Sequence, residues 1–229
     1  VQIDGNLLER SWQQAQTGYA VLFTVRNQDG GCPWCQVEAV TFQRNIVRDV
    51  AAGVQIIGSD PDYATRPMRQ VTIAGNLFDG IDREVNGGDG YFALIGGSPS
   101  EVVIDHNTIV QRSSGGVLKL ADGATSGFRY TNNLSRHGDY GIIGTDHGIG
   151  EDSIQAFLPG ARIEQNVLAE GDAARYPAGN YFPSLAEFVR HFQSYRGGNY
   201  RLVLSSPWRR LGTDGKDIGA EISSLPSGR

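Results

Sequence analysis

Apolar and polar residues alternate over short stretches of the chain, and each stretch ends in an asparagine followed by one more residue, usually apolar. Val1-Gln-Ile3-Asp-Gly-Asn6-Leu7 sets the pattern. It recurs as Val40-Thr-Phe42-Gln-Arg-Asn45-Ile46, Val71-Thr-Ile73-Ala-Gly-Asn76-Leu77 and Val102-Val-Ile104-Asp-His-Asn107-Thr108. Weaker copies end at Asn133-Leu134 and Asn166-Val167. Alternation with period two predicts half-buried strands. Successive asparagines lie 39, 31, 31, 26 and 33 residues apart. A repeat of that size with variable insertions predicts stacked units that differ in loop length. A second apolar run follows each of the first five asparagines, over 18–25, 53–58, 90–96, 116–121 and 141–144, and each begins at a glycine. These runs are too short for helices and rich in β-branched or aromatic residues.

A unit of a few short strands cannot bury its apolar face alone. The units must therefore stack into parallel sheets with strands about 4.8 Å apart. The predicted fold is all-β, a right-handed parallel β-helix forming a single domain over 1–229. The asparagines are read as scaffold: at a bend a small amide tolerates the left-handed region, and stacked amides can bond one another as a ladder. One segment departs from the pattern. Ser184 and Glu187 form a capping-box signature, and Leu185, Phe188, Val189 and Phe192 form one apolar stripe. This predicts a capping helix over about 183–195, laid across the last unit to close its open edges, with a closing strand and tail over 199–229.

Composition adds limits. The chain has 31 glycines without a collagen period, consistent with many tight turns. Its 20 basic against 25 acidic residues give a net charge of -5, which argues against nucleic acid as partner. No apolar run reaches the roughly 18–20 residues of a membrane span. Val1 falls inside a predicted strand, so the chain is expected to be part of a longer solenoid, and an uncapped first unit could stack end to end on another copy. Cys32-Pro-Trp-Cys35 resembles a redox motif, but it leads into a strand rather than a helix, and no second pair completes a zinc site. A small loop disulfide between Cys32 and Cys35 is the preferred reading, against free or catalytic thiols.

The V-x-I-x-x-N repeats, from Val1 to about Val167, resemble secreted bacterial right-handed parallel β-helix proteins of the pectate-lyase-like superfamily. The tail resembles the closing signature of many such proteins: Tyr200-x-Leu202, Ser206-Pro207, then Asp217-x-Gly219-Ala220. Stretches similar to 16–20, 26–30 and 140–144 recur in uncharacterised members from soil bacteria. The resemblance implies an extracellular or periplasmic protein with a polysaccharide partner. It covers polysaccharide lyases, glycoside hydrolases and uronan epimerases, but also non-catalytic adhesins and phage tailspikes, so it names no reaction.

Chemistry is expected on the outward face of the sheet built from the second runs. Aligned by their leading glycines, these runs place Arg26–Asp29, Ser59-Asp60, Asp122 and Asp146-His147 at similar positions. Carboxylates on neighbouring strands stand about 5 Å apart and those two strands apart about 10 Å, which brackets the spacings of retaining and inverting glycosidases. Asp122 and Asp146 are therefore candidates for a hydrolytic pair or for calcium ligation, the only cofactor suggested. Their plainer role is in turns, where aspartate bonds the local backbone. The segment from Arg136 to Asp152 also concentrates His137, Asp139, Tyr140, His147 and Glu151. In a lyase or epimerase, His137, His147 or Tyr140 would take the proton α to a uronate carboxyl, with Arg136 or calcium offsetting its charge. The alternative is an ordinary polar loop. Lys119 should face outward from its strand, and Trp12, Tyr91 and Trp208 are candidate sugar platforms. Enzyme and non-catalytic glycan-binding or structural protein both remain open at this point.

Overall fold

A computed structural model describes residues 1–11 and 18–226; Trp12 and the start of the 16–20 stretch lie outside them. The chain lays down short strands in rounds of three. The first round is β1 (Gln2–Asp4), β2 (Leu7–Glu9) and β3 (Tyr19–Thr24), and the second β4 (Glu38–Gln43), β5 (Ile46–Val50) and β6 (Ala52–Ile57). There follow β7 (Arg69–Ala74), β8 (Leu77–Ile81) and β9 (Ala93–Gly96), then β10 (Ser100–Asp105), β11 (Thr108–Gln111) and β12 (Leu118–Leu120). The fifth round is β13 (Arg129–Thr131), β14 (Leu134–Arg136) and β15 (Ile142–Gly144), and the sixth has β16 (Arg162–Glu164) and β17 (Val167–Ala169). First strands pair in parallel as sheet A, second strands as sheet B and third strands as sheet C, each in chain order. The molecule is thus predominantly β, built on three parallel sheets.

Register explains the core. Phe42, Ile73, Ile104, Tyr130 and Ile163 occupy one inward position of sheet A. They join Val47, Phe78, Ile109 and Leu168 of sheet B and Val54, Ala93, Leu118 and Ile142 of sheet C in a single buried cluster. Each round alone would expose these side chains, so stacking and burial are one event.

The asparagines fall in one column. Asn45 Nδ2 donates to Asn76 Oδ1 at 3.1 Å, Asn76 to Asn107 at 2.9 Å, Asn107 to Asn133 at 3.0 Å and Asn133 to Asn166 at 3.0 Å. Each Oδ1 also accepts the backbone N–H of the preceding asparagine, and each second amide hydrogen reaches a main-chain carbonyl, as in Asn76 Nδ2 to Phe42 O at 3.0 Å. The buried amides are fully satisfied, which removes the desolvation penalty of an orphaned polar group. The sequence reading missed the last rung: Asn166 donates to Asn180, only 14 residues on. It also placed the left-handed residue wrongly. The residue before each asparagine takes positive φ: Gly5 (68°), Arg44 (51°), Gly75 (64°), His106 (50°), Asn132 (58°) and Gln165 (56°). The bend belongs to that residue, and the ladder asparagine serves bonding alone.

The expected end cap is corrected. The helix is α3 (Leu185–Arg190), numbered after α1 (Arg83–Asn86) and α2 (Glu151–Phe157); it carries the predicted capping box of Ser184 and Glu187 but is shorter than 183–195. Its Phe188 does not close the last round. Phe188, Phe192, Tyr200, Trp208 and Ile218 pack instead on the outward side of sheet B, against Ile46, Leu77, Leu134 and Val167. Those four share one register position with Thr108, which stands between Leu77 and Leu134. The segment with α3, the hairpin β18 (Phe192–Ser194) and β19 (Asn199–Leu202), and the tail therefore covers a face. At the last round, Ile154 and Leu158 from α2 and its following turn, together with Tyr176, pack onto the main core.

Candidate functional site

Among the described residues, sheet C keeps an outward face with no segment packed on it like that on sheet B. Register aligns Leu22, Gln55, Leu94, Lys119 and Ile143 along it. Loop lengths shape its border: the connections to the next sheet-A strand run over 25–37, 58–68, 97–99, 121–128 and 145–161, so walls stand at either end of a low middle. In the first wall Cys32 and Cys35 form the expected disulfide. Asp60 accepts the Asn27 N–H at 3.0 Å, and this with the Asp62 and Tyr63 amides holds its carboxyl below the usual range.

Lys119 faces outward as the alternation predicts, half-exposed. Its Nζ lies 3.0 Å from Asp89 Oδ2 and 5.6 Å from the centroid of the Tyr91 ring. Tyr91 in turn stacks with Tyr140, centroids 6.1 Å apart and planes inclined by 19°. Gly116, between them in the strand order, makes this possible: a Cβ there would come within 2.5 Å of the Tyr91 ring. Tyr140 is 42% exposed and Tyr91 only 9%. Burial, with help from Tyr140 and Asp89, pushes the Tyr91 hydroxyl up to about 12. Tyr91 is thus the buried support and Tyr140 the open face of one aromatic pair. Asp89 was not singled out from the sequence, because it lies in the connection between sheets and outside the repeat.

The remaining candidates separate. Asp122 and Asp146 follow the paired ends of β12 and β15 at equivalent positions, Leu120 standing opposite Gly144. Both are exposed, and both have positive φ, 53° and 61°, as does Gly97 (67°) one round earlier. A turn that demands this conformation favours glycine and aspartate, which accounts for the residues without chemistry. His147 Nδ1 lies 3.3 Å from Asp152 Oδ1, and its ring meets the edge of Phe157. The Gly148 amide, then His147, holds the Asp152 carboxyl below its ordinary value. His147 thus sits at the start of α2 beside Asp146.

His137 lies elsewhere in character. It is 7% exposed; Nδ1 lies 2.7 Å from Gly138 O, so that nitrogen carries the hydrogen, and Nε2 lies 2.7 Å from the Tyr176 hydroxyl. That hydroxyl donates to Nε2 and accepts the Ile142 N–H at 3.2 Å. A histidine with both ring nitrogens occupied in this way is a structural bond between rounds. Arg136 pairs at 3.0 Å with Glu170, which directly follows the neighbouring strand β17 of sheet B. The expected cluster of Arg136, His137, Tyr140 and His147 is therefore not one site. Trp208, at 3% exposure, is core beneath the tail and not a sugar platform. Among the described residues no group of three or more His, Cys, Asp or Glu side chains is arranged to hold a metal ion. Among the described residues, no helix is long and apolar enough to cross a membrane.

A further polar cluster appears where the tail meets the asparagine corner. His106 lies between Asp105, 2.8 Å from Nδ1, and Asp214, 3.3 Å from Nε2. Burial acts upward on the Asp105 carboxyl, but hydrogen bonds from His106, Thr131 and Asn132 outweigh it and hold it below the usual range. Asn132 exchanges bonds with Thr213, both at 2.9 Å, beside a cleft of about 780 Å³. The cluster clasps the tail. No family model matches the chain, and no curated protein or solved structure matches it.

Proposed function

We propose that the three sheets are the walls of a right-handed parallel β-helix of the pectate-lyase-like kind, and that the outward face of sheet C binds polysaccharide outside the cell. Register supports the winding: the chain visits sheets A, B and C in rotation, with every pair parallel. The observation that carries the binding reading is the Tyr91–Tyr140 stack beside Lys119 and Asp89. A supported tyrosine offers an apolar ring face with a polar tip, and the ion pair beside it offers a donor and an acceptor for sugar hydroxyls. Binding without cleavage fits best, since His137 and Arg136 are already engaged in structural contacts.

A hydrolytic reading keeps one specific observation in its favour, the equivalent positions of Asp122 and Asp146 on adjacent rounds. A panel of neutral and acidic polysaccharides, assayed for binding and for product with and without calcium, separates the two. Binding that is lost in Tyr140→Ala and unaccompanied by product supports the module. Product formation abolished by Asp146→Asn supports the enzyme, and no binding to any polymer overturns both.

A further inference from the structure

The outward face of sheet A carries a charge arrangement that the fold does not need. Arg129 and Arg162 stand directly opposite each other on the neighbouring strands β13 and β16. Both point away from the core, since Tyr130 and Ile163 between their neighbours are buried. Like charges facing across a sheet are destabilising. Arg162 has Glu164 as a partner, whereas Arg129 has no carboxylate within 4.0 Å among the described residues. An unpaired arginine beside another arginine in a chain of net charge -5 marks a place where local repulsion has been kept.

The ground next to the pair is open. An elongated cleft of about 550 Å³ runs from Arg162 and Gly160 past Arg129, Gly127 and Glu101 to Gln70 and Thr72. It crosses four rounds, or about 14 Å at ordinary strand spacing. Gly127 (φ 66°) and Gly160 (φ 69°) sit at the same step of successive rounds, where Ala39, Gln70 and Glu101 also take positive φ. Nothing lies within 4 Å of a Cβ built at Gly160, so the space there is free.

We propose that this face is a second binding site, distinct from that on sheet C, for a saccharide chain bearing carboxylate or sulfate groups. The anion lies across the Arg129–Arg162 pair, whose planar guanidinium groups suit bidentate contacts with such oxygens. The rest of the chain follows the cleft, where Thr72, Gln70 and the Glu101 carboxylate bond its hydroxyls. Single-stranded nucleic acid is the less suitable occupant: the one aromatic in the lining, Phe128, is 1% exposed and offers no stacking surface.

The test is calorimetric titration of the whole protein with oligogalacturonate, a sulfated dextran oligomer, neutral dextran and oligo-dT at low salt. The expected result is binding of the anionic saccharides, weakened about tenfold or more by Arg129→Gln and likewise by Arg162→Gln, as loss of a charge-assisted contact implies. Glu101→Gln should tighten the same binding. Anionic saccharides bound equally by the arginine variants and lost in Tyr140→Ala would assign them to sheet C and overturn the proposal. So would binding of oligo-dT as tight as that of the saccharides, or no anionic saccharide bound at all. Each variant is exposed, and an unchanged denaturation midpoint confirms that it folds.

Discussion

The outward faces of sheets B and C start from similar material and end differently. Sheet B presents Ile46, Leu77, Leu134 and Val167 in one column, and the segment from α3 onward lies over it with Phe188, Phe192, Trp208 and Ile218. Sheet C presents Leu22, Gln55, Leu94, Lys119 and Ile143, and remains open, with Leu22 51% exposed. A column apolar except at Thr108, whose hydroxyl accepts the Ala220 N–H of the tail at 3.0 Å, requires a lid, whereas a column broken by Gln55 and Lys119 can face water or a ligand. The lid is also anchored by charge: the Tyr200 hydroxyl donates to the buried Asp79 carboxylate at 2.7 Å, and Arg112 approaches the same oxygen at 3.2 Å. The same architecture thus yields one structural face and one available face, and the choice is made by which residues hold the outward positions.

The largest effect should come from the element both faces share. Asn76→Ala removes an acceptor used twice by Asn45 and the donors to Phe42 O and Asn107 Oδ1. With several buried groups left unpaired, chemical denaturation should show a loss of about 3–6 kcal/mol. Asn6→Ala, at the exposed first rung, should cost under about 1 kcal/mol. Equal losses at the two positions would show that the ladder does not act through burial.

Next comes the lid itself. Trp208→Ala should destabilise by about 3–5 kcal/mol, the usual range for a buried large aromatic, while Leu22→Ala should stay within about 0.5 kcal/mol. A smaller third effect concerns acid. Asp105 has its carboxyl held below the ordinary 3.8, so its contribution is present above that value and is lost as the pH falls through the lowered folded value. Wild-type stability should drop more steeply below about pH 4 than that of Asp105→Asn. Identical acid profiles would remove the clasp from the account. Smallest for stability is Tyr140→Ala, expected to leave the denaturation midpoint within experimental error while abolishing any polysaccharide binding on sheet C.

What the sequence disclosed follows the same division. The ladder asparagines were legible because each must make the same bonds in every round, so residue type is repeated. Asn180 was not, because its round shortens to 14 residues and lacks the preceding apolar alternation. The left-handed position before each asparagine was hidden by its varied occupants, Arg44, His106 and Gln165 among them: the constraint is on backbone, and several side chains meet it. The lid's destination left a signal that went unused. Leu77-Phe78 and Ile46-Val47 are adjacent apolar pairs, and adjacent residues of a strand face opposite sides, so both sides of sheet B had to be buried. The polar segment from Arg136 to Asp152 misled because nearness in sequence is not nearness in a site: Arg136 ends β14 and pairs with Glu170, whereas His147 lies in the connection after β15, beside Asp152. The equivalence of Asp122 and Asp146 comes from the pairing of Leu118 with Ile142; the leading glycines alone, Gly116 and Gly141, would align them one residue out of step.

Hydroxyl-radical footprinting of the intact protein, read residue by residue by mass spectrometry, tests the contrast between the two faces most directly. Trp34 at 65% exposure, Leu22 and Tyr140 should be modified rapidly, whereas Trp208 at 3%, Phe188 and Leu134 should be protected. Modification of Trp208 and Leu134 as fast as Trp34 would mean that sheet B is uncovered, and the distinction between a structural face and an available one would be lost.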